Sequence, residues 1–503
     1  MSTPAVVSMK QRIKSVSLIF ACGTALFSDG YANGVISAVN VLLRRVYGDD
    51  AIENHNYITI VSSLAFAGTV VGMLVFGESL VSLEKGSFIH LLLQAGFRTK
   101  LVASSEWKMS ATVIVALFSG LSAASTGANH SLGGMLAMLS ACRFLLGIGV
   151  GAEYPCGSVS ASEQTEEKGV SKNAQHRWFA LATNSMIDFG FVISAFVPLV
   201  LFWIFGNNHL RAVWRLSLGL GVVPALFVLL WRIGMEEPER YKRDSMKNAK
   251  VPYRLILKRY GGSLAAISFT WFLYDFIVYP FGIYSSTILD RVTGGNTALS
   301  VVFGWNVVIN LFYMPGTLGG AFVVDYLGPK YTMITGLICQ AVIGFIMSGA
   351  YTQLTEHVAA FAVVYGIFLS LGELGPGNCL GLLASKSSPT AVRGQFYGVA
   401  AAIGKVGAFA GTWAFPAMIN DFGGPKTLKG NTGPFWIGSG LAVVSALVTF
   451  FFIRPLSHDG MTEEDSLFRE YLEQHGYDTS QMGLGTTSEV TDSASEDEKK
   501  VPV

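Results

Sequence analysis

Trp271, Asp275 and Tyr279, in the run WFLYDFIVYP, recur every four residues and so share one helical face. That face carries an indole N–H, a titratable carboxyl and a phenol. Toward an anionic, oxygen-rich ligand the indole and phenol donate hydrogen bonds, while the carboxyl donates when protonated and repels when ionised. Binding and protonation are then coupled through one group. An aromatic stripe alone would read as core packing, and it is the aspartate within it that argues for chemistry. Lys405, between Gly404 and Gly407 in AAIGKVGAFAGTW, places a positive charge in an otherwise apolar segment. It needs either a counter-charge, which Asp275 could be, or a bound anion such as a phosphate oxygen.

Other carboxyls lie at similar depth. Glu153, closing GIGVGAE, can take a proton from one side and release it to the other, which is what symport requires. Asp29 in ALFSDGYANG, with Tyr31 and Asn33, is a candidate second proton site or part of a release route. Asp188 in NSMIDFGFV could meet a polyol hydroxyl or a cationic head group. Glu373 and Asn378 bracket Pro376 in GELGPGNC, where the proline frees a helix carbonyl and suits a cavity wall. Arg143 and Glu163 read as cytoplasmic or interfacial pairing at the ends of their segment, and His130, His176, His209 and His357 as solvated span-end residues.

The elements that must hold these groups are apolar helices. The 503 residues are 51% hydrophobic and 14% charged, with mean hydropathy +0.46, a balance that suits a lipid-facing bundle and excludes disorder or a soluble α/β enzyme as the main body. Helix-compatible apolar windows fall at 15–42, 56–77, 109–128, 133–161, 177–204 and 211–232, then at 262–289, 299–323, 330–350, 357–382, 393–419 and 432–453. Each can span roughly 30 Å of hydrocarbon. Six plus six gives an all-α membrane protein of twelve transmembrane helices in two pseudo-symmetric six-helix bundles. The expected layout is a cytoplasmic lead over 1–14, a first bundle over 15–232, a cytoplasmic linker over 233–260, a second bundle over 261–453 and an acidic, unstructured cytoplasmic tail over 454–503. The lysines and arginines of 235–260 put the linker, and with it both termini, in the cytoplasm. Residues 78–108 are an atypical insertion whose apolar patch FIHLLLQAGF is too short to cross and could be an interfacial helix or an unstructured segment, with no function assigned to it.

Several chemistries have no support. The glycines at 147, 149 and 151 lack the strand-to-helix context and following lysine of a phosphate-cradling loop, and read instead as places for close helix approach. The five cysteines have neither metal-ligand spacing nor a disulfide framework. No nucleophile stands beside a base, so neither an enzyme nor a cofactor is expected. A net charge of +1 gives no sign of nucleic acid.

On GIGVGAEYP, WFLYDFIVY and SSPTAVRGQFYGVAAAIGKVGA the chain resembles the major facilitator superfamily, within it the phosphate:proton symporter branch, and within that the fungal glycerophosphodiester (glycerophosphoinositol) permeases, over residues 15–455. The resemblance implies two six-helix halves alternating between inward and outward states. It assigns proton coupling to Glu153, a phosphate contact to Tyr154, and phosphate binding to Trp271, Asp275, Tyr279 and Lys405. The family's charged Gly-x-x-x-Asp-x-x-Gly-Arg gating loop is disrupted in the first half from Glu78, while its counterpart survives as GGAFVVDYLGPK with Asp325 and Lys330. Glutamate at 153, where phosphate importers carry aspartate, and Asp188, where they carry glutamine, suit a singly charged diester better than phosphate. Gly375, Gly377 and Asn378 would leave room for its head group.

The expectation is a monomeric, proton-coupled symporter importing small anionic organophosphates, glycerophosphoinositol or glycerophosphocholine, across a fungal-type plasma membrane in contact with lipid. The alternatives are an inorganic phosphate:proton symporter and a non-transporting nutrient sensor.

Overall fold

The computed structural model describes residues 9–53, 55–82, 104–166, 170–232, 251–294, 298–456, 460–480 and 482. Among them the chain is helical throughout, with no strand. Before the central loop run α1 (Met9–Gly23), α2 (Leu26–Tyr47), α3 (Asp49–Glu53), α4 (Tyr57–Ser82), α5 (Ser104–Ala123), α6 (Leu132–Glu153), α7 (Val159–Thr165), α8 (Gln175–Ala182), α9 (Asn184–Phe205), α10 (Leu210–Gly219) and α11 (Val222–Arg232). After it come α12 (Tyr253–Val292), α13 (Leu299–Leu311), α14 (Tyr313–Gly349), α15 (Tyr351–Thr355), α16 (Val358–Gly372), α17 (Asn378–Lys386), α18 (Arg393–Asp421), α19 (Leu428–Phe452) and α20 (Gly460–Gln474). Residues 83–103, with the interfacial-helix expectation and most of the disrupted first-half loop, lie outside the described residues.

Nine stretches of the described residues are long and apolar enough to cross a membrane. Their polarity is inverted relative to a protein dissolved in water. Trp203, Ile204, Leu230, Phe451 and Phe452 are 63–71% exposed, while Asp29, Glu153, Asp188, Asp275 and Lys405 are only 1–3% exposed. Only a hydrocarbon solvent makes that arrangement favourable, and the chain is a multi-pass membrane protein.

Proline decides where the long helices break. Between α6 and α7 the chain makes a π-helical turn over Tyr154–Ser158 containing Pro155, and between α16 and α17 another over Glu373–Gly377 containing Pro376. Each proline lacks an N–H, so a carbonyl one turn back is released from the ladder, and the widened turn turns polar groups inward. Gly328, at φ 75° and followed by Pro329, divides α14 into two arms.

Small residues set the helix spacing. A Cβ on Gly151 would lie 2.9 Å from Thr69 C and Met73 N of α4, and one on Gly149 would lie 2.9 Å from Ala111 O of α5. Alternate glycines of α6 thus admit different neighbours, as their spacing anticipates. Gly151→Ala is expected to force α4 and α6 apart at a cost of about 1–3 kcal/mol. Thermal unfolding in detergent measures this, and an unchanged midpoint would contradict the tight seam.

Hydrogen bonds join the parts of the chain before and after the central loop at both ends of the bundle. At the end nearest that loop, Arg393 donates to Glu163 at 3.0 Å, Lys386 to Glu166 at 2.9 Å and the Arg177 backbone N–H to Asp325 at 3.0 Å. At the opposite end, Ser37 bonds to Ser285 and Ser286, both at 2.9 Å, Trp413 donates to Ser63 at 3.0 Å, and Arg45 pairs with Asp290 at 2.8 Å.

The tail corrects one expectation. The stretch expected to be unstructured from 454 contains α20, which packs on the body through buried Met461, Phe468 and Leu472. Asp465 accepts bonds from the backbone N–H and hydroxyl of Thr390, at 2.6 and 2.8 Å, and lies 3.8 Å from Arg393. Met461, Asp465, Phe468 and Leu472 fall on one helical stripe, a pattern that the average composition of a polar tail conceals. Residues 483–503 lie outside the described residues.

Candidate functional site

α12 and α18 meet where α18 is smallest. A Cβ on Gly404 would lie 2.8 Å from Trp271 Cγ, and one on Gly407 would lie 2.9 Å from Phe272 C. This approach brings Lys405 against the polar face of α12. Its Nζ donates a hydrogen bond to the Tyr279 hydroxyl and lies 3.4 Å from Asp275 Oδ2. It also sits 3.9 Å from the centroid of the Tyr279 ring and 5.1 Å from that of Tyr154. The charge is therefore shared among a carboxylate, a phenol and two π faces, which together offset part of its desolvation. Tyr154 comes from the first π turn, so one lysine touches groups from both sides of the central loop.

Behind Tyr154 lie a buried carboxyl and a buried guanidinium. The Tyr154 hydroxyl donates to Asp29, whose other oxygen accepts from Asn33 Nδ2 at 2.6 Å. Arg143 donates to the Ala32 carbonyl at 2.6 Å and is close enough to Asp29 for their charges to interact. Its Nε and Nη2 have no hydrogen-bond partner among the described residues. The reading of Arg143 as an interfacial residue is thereby corrected: α6 begins at Leu132, so Arg143 lies three turns inside it and is 1% exposed. Glu163 does pair, with Arg393. His176, expected in solvent, is 1% exposed at the start of α8, whereas His130, His209 and His357 are exposed.

A second polar group is assembled from α9, α12, α14 and the second π turn. Glu373 accepts from Tyr274 at 2.8 Å through one oxygen and from Asn184 at 3.0 Å through the other. Asp188, one turn after Asn184 on α9, accepts from Thr317. Asn378 Nδ2 donates to the Thr317 carbonyl at 2.9 Å. The bonds from Asn184 to Glu373 and from Thr317 to Asp188 cross from one part of the chain to the other.

Both groups border one cavity, lined by Lys405, Asp275, Trp271, Tyr279, Tyr154, Asp188 and Glu373, with Asn184, Tyr274, Ser158, Tyr313 and Tyr397. Asp29 is joined to it through Tyr154, and Asn378 buttresses Thr317 without lining it. Glu153 does not line it and accepts from Thr112 of α5 at 2.8 Å. Asp325 and Lys330 lie away from it, on either side of Gly328. Asp325 faces Arg177, with the guanidinium at 3.6 Å, and Lys330 donates to the Phe450 carbonyl at 2.8 Å. Sequence reasoning missed Asn184, Tyr274 and Thr317, although the four-residue interval from Asn184 to Asp188 was a usable signal.

A family model described as "Sugar (and other) transporter" matches residues 105–251 and 242–468. The chain is 43% identical over 481 residues to a glycerophosphocholine permease of Candida albicans, covering 95% of this chain and 86% of the relative. It is 41% identical over 471 residues to the major glycerophosphoinositol permease of the same organism, covering 93% and 83%. The chain belongs to the family of fungal glycerophosphodiester permeases. Among solved structures the permease is similar to the proton:xylose symporter XylE bound to 6-bromo-6-deoxy-D-glucose, with TM-score 0.70 and 17% identity over 92% of this chain and 100% of that one. At that identity the likeness establishes the major facilitator fold alone. The permease is a membrane transporter and not an enzyme.

Proposed function

We propose that the chain is a proton-coupled symporter that imports glycerophosphodiesters by alternating access across the plasma membrane. The observation that carries the reading is the convergence of Lys405, Asp275, Tyr279 and Tyr154 on one cavity bordered by both parts of the chain. An incoming phosphodiester oxygen would take over Lys405 and receive bonds from Tyr279 and Trp271. Asp275, relieved of its partner, would then hold the proton that accompanies the anion. Asp29, bonded to Tyr154, and Glu153, on the opposite side of α6, are further proton sites in this scheme. Tyr154, Asp188 and Asn378 belong to the substrate wall or its support. The Asp325 contact with Arg177, beside Lys330, serves as a gate. Co-transported charge gains about 2.3 kcal/mol per 100 mV, enough to concentrate an anion when more than one proton enters with it.

The architecture proposed is twelve crossings in two halves. Dividing Leu299–Gly349 at Gly328 and adding α1–α2 and α5 to the apolar stretches gives that number. The basic linker places it and both termini in the cytoplasm, and each monomer contains a complete cavity.

Uptake of labelled diesters into proteoliposomes, with an inward proton gradient and inorganic phosphate as competitor, tests the proposal. Gradient-dependent diester uptake that phosphate competes with poorly is expected. A preference for phosphate would transfer the assignment to inorganic phosphate symport, and binding without uptake would make the protein a sensor. Asp275→Asn is expected to lower gradient-driven uptake by about tenfold or more, the effect of roughly 1.4 kcal/mol, with protein level maintained. An unaltered rate and pH profile would remove Asp275 from coupling.

A further inference from the structure

The cavity contains more carboxyl groups than an anion carrier needs. Among the described lining residues Lys405 is the one lysine or arginine, set against the carboxyls of Asp188, Asp275 and Glu373. Asp275 pairs with Lys405, whereas among the described residues Asp188 and Glu373 have no basic partner within salt-bridge distance and are held by neutral donors, Thr317 for one and Asn184 and Tyr274 for the other. A wholly anionic ligand would be attracted at one wall and repelled at the other. Around the two carboxyls the lining is aromatic: Tyr274, Tyr313 and Phe191 all border the cavity, the last two with ring centroids 5.4 Å apart. Carboxylates set among aromatic faces suit an ammonium group, most of all one whose methyl groups cannot donate hydrogen bonds. At the other pole the Ser158 hydroxyl, 1% exposed, borders the cavity together with Tyr397 and Lys405, within reach of a ligand oxygen.

We infer that Asp188 and Glu373 form a head-group subsite for a cation, so that the preferred substrate is a zwitterionic glycerophosphodiester, its phosphate at Lys405 and its ammonium between the two carboxyls. The inference rests on the diester-transport reading and adds to it which head group is selected and by which residues. Asp188 and Glu373 are then specificity residues, and Asn184, Tyr274 and Thr317 position them.

Proteoliposome uptake of four labelled diesters tests this: glycerophosphocholine, glycerophosphoethanolamine, glycerophosphoinositol and glycerophosphoglycerol, with free choline as competitor. The two cationic head groups are expected to show a KM lower by about tenfold than the two neutral ones, one charge contact's worth of discrimination. Free choline, lacking the phosphate, should compete weakly. In Asp188→Asn and Glu373→Gln the ratio of KM for the choline diester to that for the glycerol diester should rise by about tenfold each. Equal or better handling of the neutral diesters by the wild-type protein overturns the inference while leaving diester transport standing. So does an equal loss of gradient-driven uptake for all four diesters in the variants, which would make these carboxyls proton carriers. If neither variant folds, the wild-type series decides alone. Absence of uptake for every diester overturns the transport reading and this inference with it.

Discussion

Lys405→Ala is expected to weaken binding of the preferred substrate by about 2–5 kcal/mol, roughly thirtyfold to several thousandfold in affinity. The lysine is the one basic side chain among the described cavity lining, and it touches Asp275, Tyr279 and Tyr154 together. Removing it takes away the anion's partner and also leaves Asp275, 2% exposed, as a buried carboxyl without a counter-charge. Two effects are thus superimposed, and a double variant separates them. Lys405→Ala with Asp275→Asn should recover thermal stability, because no buried charge is left unpaired, while affinity stays low. If affinity survives in either variant, the lysine is a packing element and the phosphate binds elsewhere.

Arg393→Met is expected to produce the largest loss of stability, about 3–5 kcal/mol. The guanidinium, 0% exposed in its side chain, donates to Glu163 and to the Thr390 hydroxyl, lies 3.8 Å from Asp465 and reaches the Ser388 carbonyl. It thereby ties α7, the start of α18 and the tail helix α20 to one point. Methionine preserves most of the stem and none of the charge, so the cost comes from Glu163 and Asp465 losing their shared cation. Thermal unfolding in detergent reads the loss. Asp465→Asn alone should cost less, because the amide oxygen can keep the Thr390 backbone N–H while the amide nitrogen donates to the Thr390 hydroxyl. A negligible shift for Arg393→Met would mean that water or a neighbouring cation reaches these carboxylates.

How much of this was legible in the sequence depends on how local each signal is. Helix positions followed from apolar windows, and Trp271, Asp275 and Tyr279 could be placed on one face because four residues nearly complete a turn. The glycines flanking Lys405 hinted at close approach, but nothing local could decide whether its partner was Asp275 or a ligand. Arg143 was misjudged because a charge seems to belong at a helix end, whereas an arginine eleven residues into α6 is about 16 Å deep. Asn184, Tyr274 and Thr317 are single polar residues in apolar helices, and their meaning arises only when α9, α12 and α14 come together. The tail helix was hidden by averaging, since its three buried side chains are diluted by acidic neighbours.

The two seals between the parts of the chain are chemically unequal. Near the central loop, buried ion pairs of Arg393 with Glu163 and Lys386 with Glu166 hold it shut, whereas the bonds named at the far end are those of serine hydroxyls and one indole N–H, with the Arg45–Asp290 pair partly exposed. A neutral hydrogen bond exchanged with water is worth about 0.5–1.5 kcal/mol, while separating a buried pair exposes two charges that must each find water. Judged by these bonds, the far seal parts more cheaply, and the carrier, joined at both ends in this structure, is expected to open first toward that side. On the proposed topology that side is the exterior, so the direction of scavenging is biased before any substrate arrives, by the difference in wetting cost between its two doors.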